Sequence, residues 1–111
     1  MKTAIIILLL TNLLRGGDIP IVLDEQLNER AQVRAEGLCN APFTHEGWLT
    51  SFSGISYRAA GENLARGFHD PWSAFIGWME SPTHKANLVK AKYTHMGVGE
   101  ACGVIVQLFQ G

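Results

Sequence analysis

The sequence predicts an α+β fold in which helices cover an antiparallel sheet. Apolar residues recur at helical spacing through residues 24–38 and again through residues 70–90, whereas residues 96–109 form two apolar runs joined by Cys102-Gly103. The first pattern is typical of amphipathic helices and the second of a β-hairpin. Helices and strands that are segregated along the chain in this way indicate an α+β layer pattern. The length of 111 residues fits a single domain spanning residues 1–111.

The charge pattern argues against a nucleic-acid partner, and the hydropathy pattern argues against a transmembrane segment. Nine Lys and Arg side chains stand against ten Asp and Glu, for a formal net charge of −1 at pH 7, and no basic run occurs. Nucleic acid is therefore not an expected partner. The one long apolar run, Ala4–Leu10, is extended by Leu13 and Leu14. It remains shorter than the roughly 20 residues that a membrane-spanning helix needs, so no transmembrane segment is expected.

Residues 1–17 admit two interpretations. Lys2 followed by Ala4–Leu10 resembles the start of a secretory signal, although no clear Ala-x-Ala cleavage site follows. Alternatively, the segment is a first helix that ends near Arg15, before two glycines that suit a helix C-terminus. Such a helix, apolar all round, would have to be covered on every side.

An amphipathic helix is predicted after Asp24, a residue type that caps helix N-termini. Apolar residues recur there at i, i+4, i+8 and i+11 and define a stripe that faces the core. This stripe consists of Leu27, Ala31, Ala35 and Leu38. The charged residues off the stripe are interpreted as a solvated face, and they are Glu25, Glu29, Arg30 and Arg34. Residues 40–60 then form an irregular loop, and residues 61–68 a short strand.

Two shorter helices are predicted between residues 70 and 90. Asp70-Pro71 supplies an N-cap and a first helical residue for one of them. The apolar stripe that follows is interpreted as a buried face and not as a binding surface, and it consists of Trp72, Phe75, Ile76 and Met79. The second helix starts at Ser81-Pro82 and runs to about Val89, with the Ser81 hydroxyl as its cap.

Three polar residues are candidates for a functional site, namely His45, Glu62 and His84. His84 falls in the first turn of a helix, where the positive dipole end disfavours the imidazolium and leaves a neutral ligand or base. A buried carboxylate is costly unless it is paired, so Glu62 needs an imidazolium, an Arg or a metal. The residues alone leave plainer alternatives open: a solvated His45, a structural ion pair at Glu62, and a capping or surface role for His84.

Spacing gives no metal or nucleophile signature by itself. Residues 45, 62 and 84 are too far apart for a His-Glu-x-x-His helix. A Ser81–His84 pair lacks both a nucleophile elbow and a third member, and His69 and His95 are weaker candidates. Cys39 and Cys102 have no zinc-site spacing; they either pair, as in an exported protein, or remain thiols, as in a cytosolic one.

Four motifs occur in a recognisable order: Phe43-Thr-His45, Gly61-Glu-Asn-Leu-Ala65, the stretch from Trp78 to Leu88, and Tyr93-Thr-His-Met-Gly-Val-Gly99. Together they resemble the small bacterial branch of the CAP superfamily, the SCP-like or cysteine-rich secretory/antigen 5/pathogenesis-related 1 domains. The resemblance covers about residues 12–111. Because Asn12, Arg15 and Gly17 resemble the end of that family's first helix, it favours the helix interpretation of residues 1–17.

This resemblance implies an α-β-α sandwich with a three-stranded antiparallel sheet between helices. It also implies a cleft with two histidines and two acidic residues, which binds a divalent metal in some members. By position, His45 and His84 are the two histidines and Glu62 is the first acidic residue. The second acidic position departs from the pattern, because Ser81 occupies it and Glu80 lies one place away.

The resemblance further implies a CAP/SCP-like protein that acts in the extracellular space or the cell envelope. In the favoured hypothesis, His45 and His84 bind a divalent metal, most suitably zinc, and the cleft binds a small ligand or a protein. The alternative is a metal-dependent hydrolase of peptides or esters, in which Glu62 accepts a proton from metal-bound water.

Overall fold

The computed structural model describes residues 2–17, 19–68 and 70–111. In chain order the elements are α1 (Lys2–Arg15), β1 (Val22–Leu23), α2 (Glu25–Leu38), a 3-10 helix (Trp48–Phe52), β2 (Ala60–Arg66), α3 (Pro71–Met79), α4 (Pro82–Val89), β3 (His95–Ala101) and β4 (Val104–Gln110). The predicted helices, the strand after residue 60 and the C-terminal hairpin are all present. The candidate His69 lies outside the described residues.

The sheet has four strands in the order β1-β3-β4-β2, where three were expected. The three long strands are antiparallel, as predicted, and the added strand β1 runs parallel to β3 with Val22 opposite His95. The side chain of Asn12 holds the segment that forms the added strand β1. This side chain exchanges two hydrogen bonds with the backbone of Ile21, at 3.0 and 2.8 Å. This clamp holds the following residues against the edge of β3, where the Val22 amide donates to the carbonyl of Thr94 at 2.9 Å.

Helices cover both faces of the sheet, which confirms the α-β-α sandwich. One core lies between the sheet and α1, α3 and α4, and the other lies between the sheet and α2 with the 3-10 helix. The central strand β4 serves both cores, because successive side chains of a strand point to opposite faces. Ile105 and Phe109 belong to the first core, whereas Val106 and Leu108 belong to the second.

Two glycines of β3 let α2 lie directly on the sheet. A Cβ atom at Gly97 would overlap the backbone of Leu27, and one at Gly99 would overlap the backbone of Ala31. The predicted stripe of α2 is buried in full, so its prediction is confirmed. The close approach also allows the Asn28 side chain to accept a hydrogen bond from the Val98 amide at 2.8 Å.

α3 buries a different face from the one predicted. Its buried side chains are Ala74, Phe75 and Trp78. Trp72 and Ile76 are 54% and 55% exposed, and Met79 is exposed as well, so the predicted stripe is wrong for three of its four members. One interaction favours the buried face: the Trp78 indole donates to the carbonyl of Leu64 at 3.0 Å.

α1 packs through one face only. Its buried residues follow helical spacing and are Ala4, Ile7, Thr11 and Arg15. Residues 2–15 therefore form a helix that packs against the core through this face. Its outer face is not covered by other described residues, contrary to what an all-round apolar helix requires, and Leu13 is 79% exposed. No helix in the described ranges is long and apolar enough to cross a bilayer.

The hairpin turn and the end of α2 are joined covalently. Cys39 and Cys102 form a disulfide with a Cα–Cα distance of 5.8 Å, so these cysteines pair. Cys102 and Gly103 have φ values of 43° and 76°, which is the left-handed conformation of both central residues in a two-residue hairpin turn. The disulfide therefore links the turn of the β3–β4 hairpin to the start of the loop that carries His45.

Candidate histidine and carboxylate site

The carboxylate of Glu62 is buried in β2, with its side chain only 1% exposed. Such a group needs partners inside the protein. Arg34 donates from Nε to Oε2 at 2.9 Å and from Nη2 to Oε1 at 3.3 Å. The Nδ1 atom of His45 lies 2.9 Å from Oε1. Of the partners that the sequence allowed for Glu62, the structure therefore supplies an Arg and a histidine, and both carboxylate oxygens are occupied.

Arg34 is the functional residue that the sequence interpretation missed. Its position off the apolar stripe predicts a solvated side chain, yet that side chain is only 13% exposed. Besides binding Glu62, its guanidinium donates to the carbonyls of Glu46 and Thr44 at 3.1 and 3.0 Å. It thus holds both the loop around His45 and the carboxylate that contacts the His45 ring.

Arg30 is also not simply solvated. Its Nη1 donates to the carbonyls of Ser51 and Ser53 at 3.0 and 2.9 Å. For Arg34, the sequence does contain a signal that the side chain lies at the edge of the core. Arg34 is seven residues after Leu27 and four before Leu38, which places it on the flank of the buried stripe. The two arginines together fasten the irregular loop to α2.

His84 is the third residue of α4, and its ring contacts Ser81, the residue just before the helix. Ser81 is the N-cap, but its side chain makes no capping hydrogen bond. The predicted capping role of the hydroxyl is therefore wrong, because Oγ instead lies 2.8 Å from Nδ1 of His84. Burial lowers the pKa of His84 below its ordinary value of 6.5, and the nearby His45 lowers it further. The His84 imidazole is accordingly neutral at pH 7.

The structure brings His45 and His84 together. Their ring centroids are 6.4 Å apart, with the planes inclined by 37°. Each ring is oriented through Nδ1, by Glu62 in one case and by Ser81 in the other. Among the described residues, neither Nε2 atom has a hydrogen-bond partner. When both Nδ1 atoms donate to these oxygens, each Nε2 carries a free lone pair.

A buried amide network holds α4 against β2 and so fixes the distance between the two histidines. Asn63 is fully buried and donates to the carbonyl of His84 and to Oε1 of Gln107, both at 3.3 Å. Asn87 donates to the carbonyl of Glu62 at 3.2 Å and to Oδ1 of Asn63 at 3.0 Å. The amides of the Gly61–Ala65 and Trp78–Leu88 motifs therefore serve to assemble the cleft, a role that the sequence interpretation did not assign.

Arg15 fixes the other end of α4. Its Nη1 donates to the carbonyls of Leu88 and Lys90 at 3.4 and 3.0 Å, and its Nη2 donates to the carbonyl of Tyr93 at 3.0 Å. A cation at a helix C-terminus satisfies free carbonyls and complements the helix dipole. With the amide network at one end and Arg15 at the other, α4 presents His84 from a rigid support.

Among the described residues, the remaining candidates make no hydrogen bond or ion pair with the histidine pair. Glu80 is the exposed C-cap of α3, and within the described ranges no hydrogen bond or ion pair joins its side chain to His45, Glu62 or His84. His95 begins β3, and its Nδ1 lies 2.8 Å from the hydroxyl of Thr94. In the part of the chain that the structure describes, no three His, Cys, Asp or Glu side chains are arranged to hold a metal ion.

Comparison with known proteins identifies the family of the chain. Residues 17–103 match the family model of CAP, the cysteine-rich secretory protein family. The chain belongs to the CAP family. This CAP chain is 33% identical, over 103 residues, to the uncharacterized protein YkwD of Bacillus subtilis, a match that covers 83% of the chain and 40% of YkwD. It is also 40% identical, over 45 residues, to the uncharacterized membrane protein YlbC of the same organism, a match that covers 40% of the chain and 13% of YlbC.

Solved structures share the CAP fold. An extracellular protein with an SCP domain from Bacillus anthracis superposes with a TM-score of 0.93 and 25% identity, over 98% of this chain and 40% of that one. An outer surface protein from Borrelia burgdorferi superposes with a TM-score of 0.86 and 20% identity, over 98% and 92% of the two chains. The CAP chain thus spans about 40% of the length of YkwD and of the Bacillus anthracis protein.

Proposed function

We propose that this CAP domain is an extracytoplasmic binding module whose cleft holds a divalent metal, zinc by preference, at His45 and His84. A small ligand or a protein group then occupies the same cleft. The disulfide supports a location outside the cytoplasm, because disulfides persist in oxidising compartments. The structural relatives described as an extracellular protein and an outer surface protein support it as well.

The observation that carries the metal proposal is the matched orientation of the two rings. In metal sites, a ligating histidine usually donates its second ring N–H to a carboxylate or another oxygen, which fixes the tautomer. His45 has Glu62 in this position and His84 has Ser81. The two imidazoles suit zinc and would hold it, and solvent or a ligand would complete its coordination. When bound, zinc would supply a Lewis acid that attracts an anionic or carbonyl oxygen of the ligand.

The contacts of Glu62 favour binding over hydrolysis. A general base needs an oxygen within hydrogen-bond reach of the proton that it removes. Both oxygens of Glu62 are instead engaged by Arg34 and His45. Glu62 is therefore proposed as a positioning residue for His45. The alternative is a metal-dependent hydrolase with Glu62 as its catalytic base, and the Glu62→Gln experiment tests it.

Zinc titration calorimetry on protein freed of metal by a chelator tests the site. His45→Ala and His84→Ala should each weaken zinc binding at least about tenfold, because each removes one of two ligands. His95→Ala is the matched control and should keep wild-type affinity. Binding should also weaken as pH falls and the His84 imidazole protonates. Unchanged affinity in both cleft variants would contradict a shared site.

Glu62→Gln separates positioning from catalysis. Because Glu62 contacts His45, a proposed zinc ligand, this substitution should weaken zinc binding about 10–100-fold. It should therefore reduce the zinc-induced rise in melting temperature more than it reduces the melting temperature of the metal-free protein. An equal loss with and without zinc would make Glu62 a structural brace. Zinc-dependent cleavage of an ester or peptide, abolished by Glu62→Gln in a folded and zinc-loaded protein, would establish the hydrolase instead.

A further inference from the structure

The outer surface of α1 and α3 is apolar over two neighbouring helices. α1 exposes a row of side chains at i, i+4 and i+8, and α3 exposes a row at i, i+4 and i+7. We call these rows together the α1–α3 face: Ile5, Leu9, Leu13, Trp72, Ile76 and Met79. No charged residue occurs between Lys2 and Arg15, so the outside of α1 lacks the polar side chains that a solvated helix normally carries.

A groove runs between the two helices. It has a volume of about 460 Å³ and is lined by Leu10, Leu13 and Leu14 of α1, and on α3 by Phe75 and the three exposed residues. The ridge formed by Ile5, Leu9 and Leu13 borders this groove through Leu13. The α1–α3 face thus contains both a ridge and a groove built from apolar side chains.

The size of this face is at the upper limit of what an isolated monomer usually shows. Six large apolar side chains, between 38% and 79% exposed, present roughly 600 Å² of apolar surface, at the upper limit of about 300–600 Å² for the largest patch of a typical monomer. A standard protein interface buries about 800 Å² on each partner, including a polar rim. The area therefore corresponds to the apolar centre of one side of such an interface.

We infer that the α1–α3 face is the interface between two copies of this chain. A twofold dimer requires one surface that is complementary to itself, so that each element meets its counterpart in the partner. A ridge next to a groove satisfies this condition, because the ridge of each copy occupies the groove of the other. Helix pairs pack in this way when the side-chain rows of one lie between those of the other. Pairing α1 and α3 with their copies covers the outer row of α1, which the fold itself leaves open.

Analytical ultracentrifugation of the oxidised protein from about 1 to about 200 µM tests this interface. The wild type should pass from the 12.2 kDa monomer to twice that mass as concentration rises. Leu13→Glu and Ile76→Glu, on different helices, should each raise the dimer dissociation constant at least about tenfold by placing a charge in the apolar centre. Both sites are exposed, so circular dichroism and melting temperature should show intact folds.

Val33→Glu is the matched control, because Val33 is 68% exposed on α2, in the opposite layer of the sandwich. This variant should dimerise like the wild type. A wild type that stays monomeric over the whole range would overturn the inference, and so would a control that weakens association as much as Leu13→Glu does. Monomeric protein that sediments with phosphatidylcholine vesicles, and loses this property in Leu13→Glu, would assign the face to a lipid surface and also overturn it.

Discussion

Arg34 on α2 and Glu62 on β2 form a side-on ion pair through two hydrogen bonds of 2.9 and 3.3 Å. The pair joins the α2 layer to the sheet at the point where His45 meets the same carboxylate. A charge-assisted, two-point contact of this kind fixes orientation as well as distance. Because the guanidinium also binds the carbonyls of Thr44 and Glu46, Arg34 couples the stability of the fold to the placement of the His45 ring.

The first prediction is that Arg34→Gln lowers the free energy of unfolding by about 3–5 kcal/mol, because removing one partner of a buried pair leaves the other charge uncompensated. Urea denaturation measures this loss. The double variant Arg34→Gln/Glu62→Gln should be more stable than the sum of the two single changes predicts, since the stranded carboxylate is gone. Strict additivity of the two substitutions would mean that the ion pair contributes nothing.

Helical periodicity predicted α2 and its buried stripe, but it could not identify the Arg34–Glu62 pair. The stripe depends on local spacing, whereas Arg34 and Glu62 are 28 residues apart and meet only when the helix is seated on the sheet. The cost of burying a carboxylate did indicate that Glu62 needs a partner, and Arg was among the three named. The sequence therefore predicted the need for a partner but not which residue meets it.

The same limit explains the misassigned face of α3. Nearly all of its side chains are apolar, so the 3.6-residue period fits more than one face. The buried face is the one from which Trp78 donates a hydrogen bond to the Leu64 carbonyl, and that acceptor lies in strand β2. Similarly, the three-stranded expectation omitted β1, which depends on the clamp between Asn12 and Ile21. Local pattern predicts an element, and contacts distant in sequence decide its orientation.

The second prediction concerns the Cys39–Cys102 disulfide, which closes a loop across a sequence separation of 63. In the chain-entropy model, a loop of this length stabilises the folded state by roughly 4 kcal/mol, through restriction of the unfolded chain. The double variant Cys39→Ser/Cys102→Ser should lose stability of this order in urea denaturation. Thiol counting on unfolded protein purified without reductant should find no reactive thiol, and two thiols per chain would contradict the linkage.

The third prediction concerns pH. The pKa of folded His84 lies below 6.5, mainly through burial and further through His45, while the unfolded chain keeps the ordinary value. As pH falls through 6.5, the unfolded state therefore binds a proton before the folded state does. The contribution of His84 to stability is thus complete above pH 6.5 and declines as pH drops toward the folded pKa. In chelator-treated protein, His84→Asn should reduce this loss of stability between pH 7.5 and 5.5.

An NMR titration of the His84 ring checks the cause of that shift directly. Its midpoint should lie below 6.5 in the wild type. In His45→Gln the midpoint should rise only part of the way, because burial is the larger cause and the neighbouring imidazole the smaller one. A wild-type midpoint at or above 6.5 would contradict the assignment of a neutral ring, and full recovery in His45→Gln would reverse the order of the two causes.

The last prediction tests how closely α2 lies on β3. A Cβ at Gly99 would overlap the backbone at Ala31 and Gln32, and a backbone cannot move aside as a flexible side chain can. Gly99→Ala should therefore cost about 2–3 kcal/mol or more, as overpacking of a core does. Gly37→Ala is the opposite case, because Gly37 lies within α2 with no atom near its missing Cβ. It should stabilise the protein by about 0.5–1 kcal/mol through helix propensity. If Gly99→Ala were as stable as the wild type, α2 would be able to lift from the sheet without cost. Arg34, and with it the cleft, would then not be held by the close packing of α2 on β3.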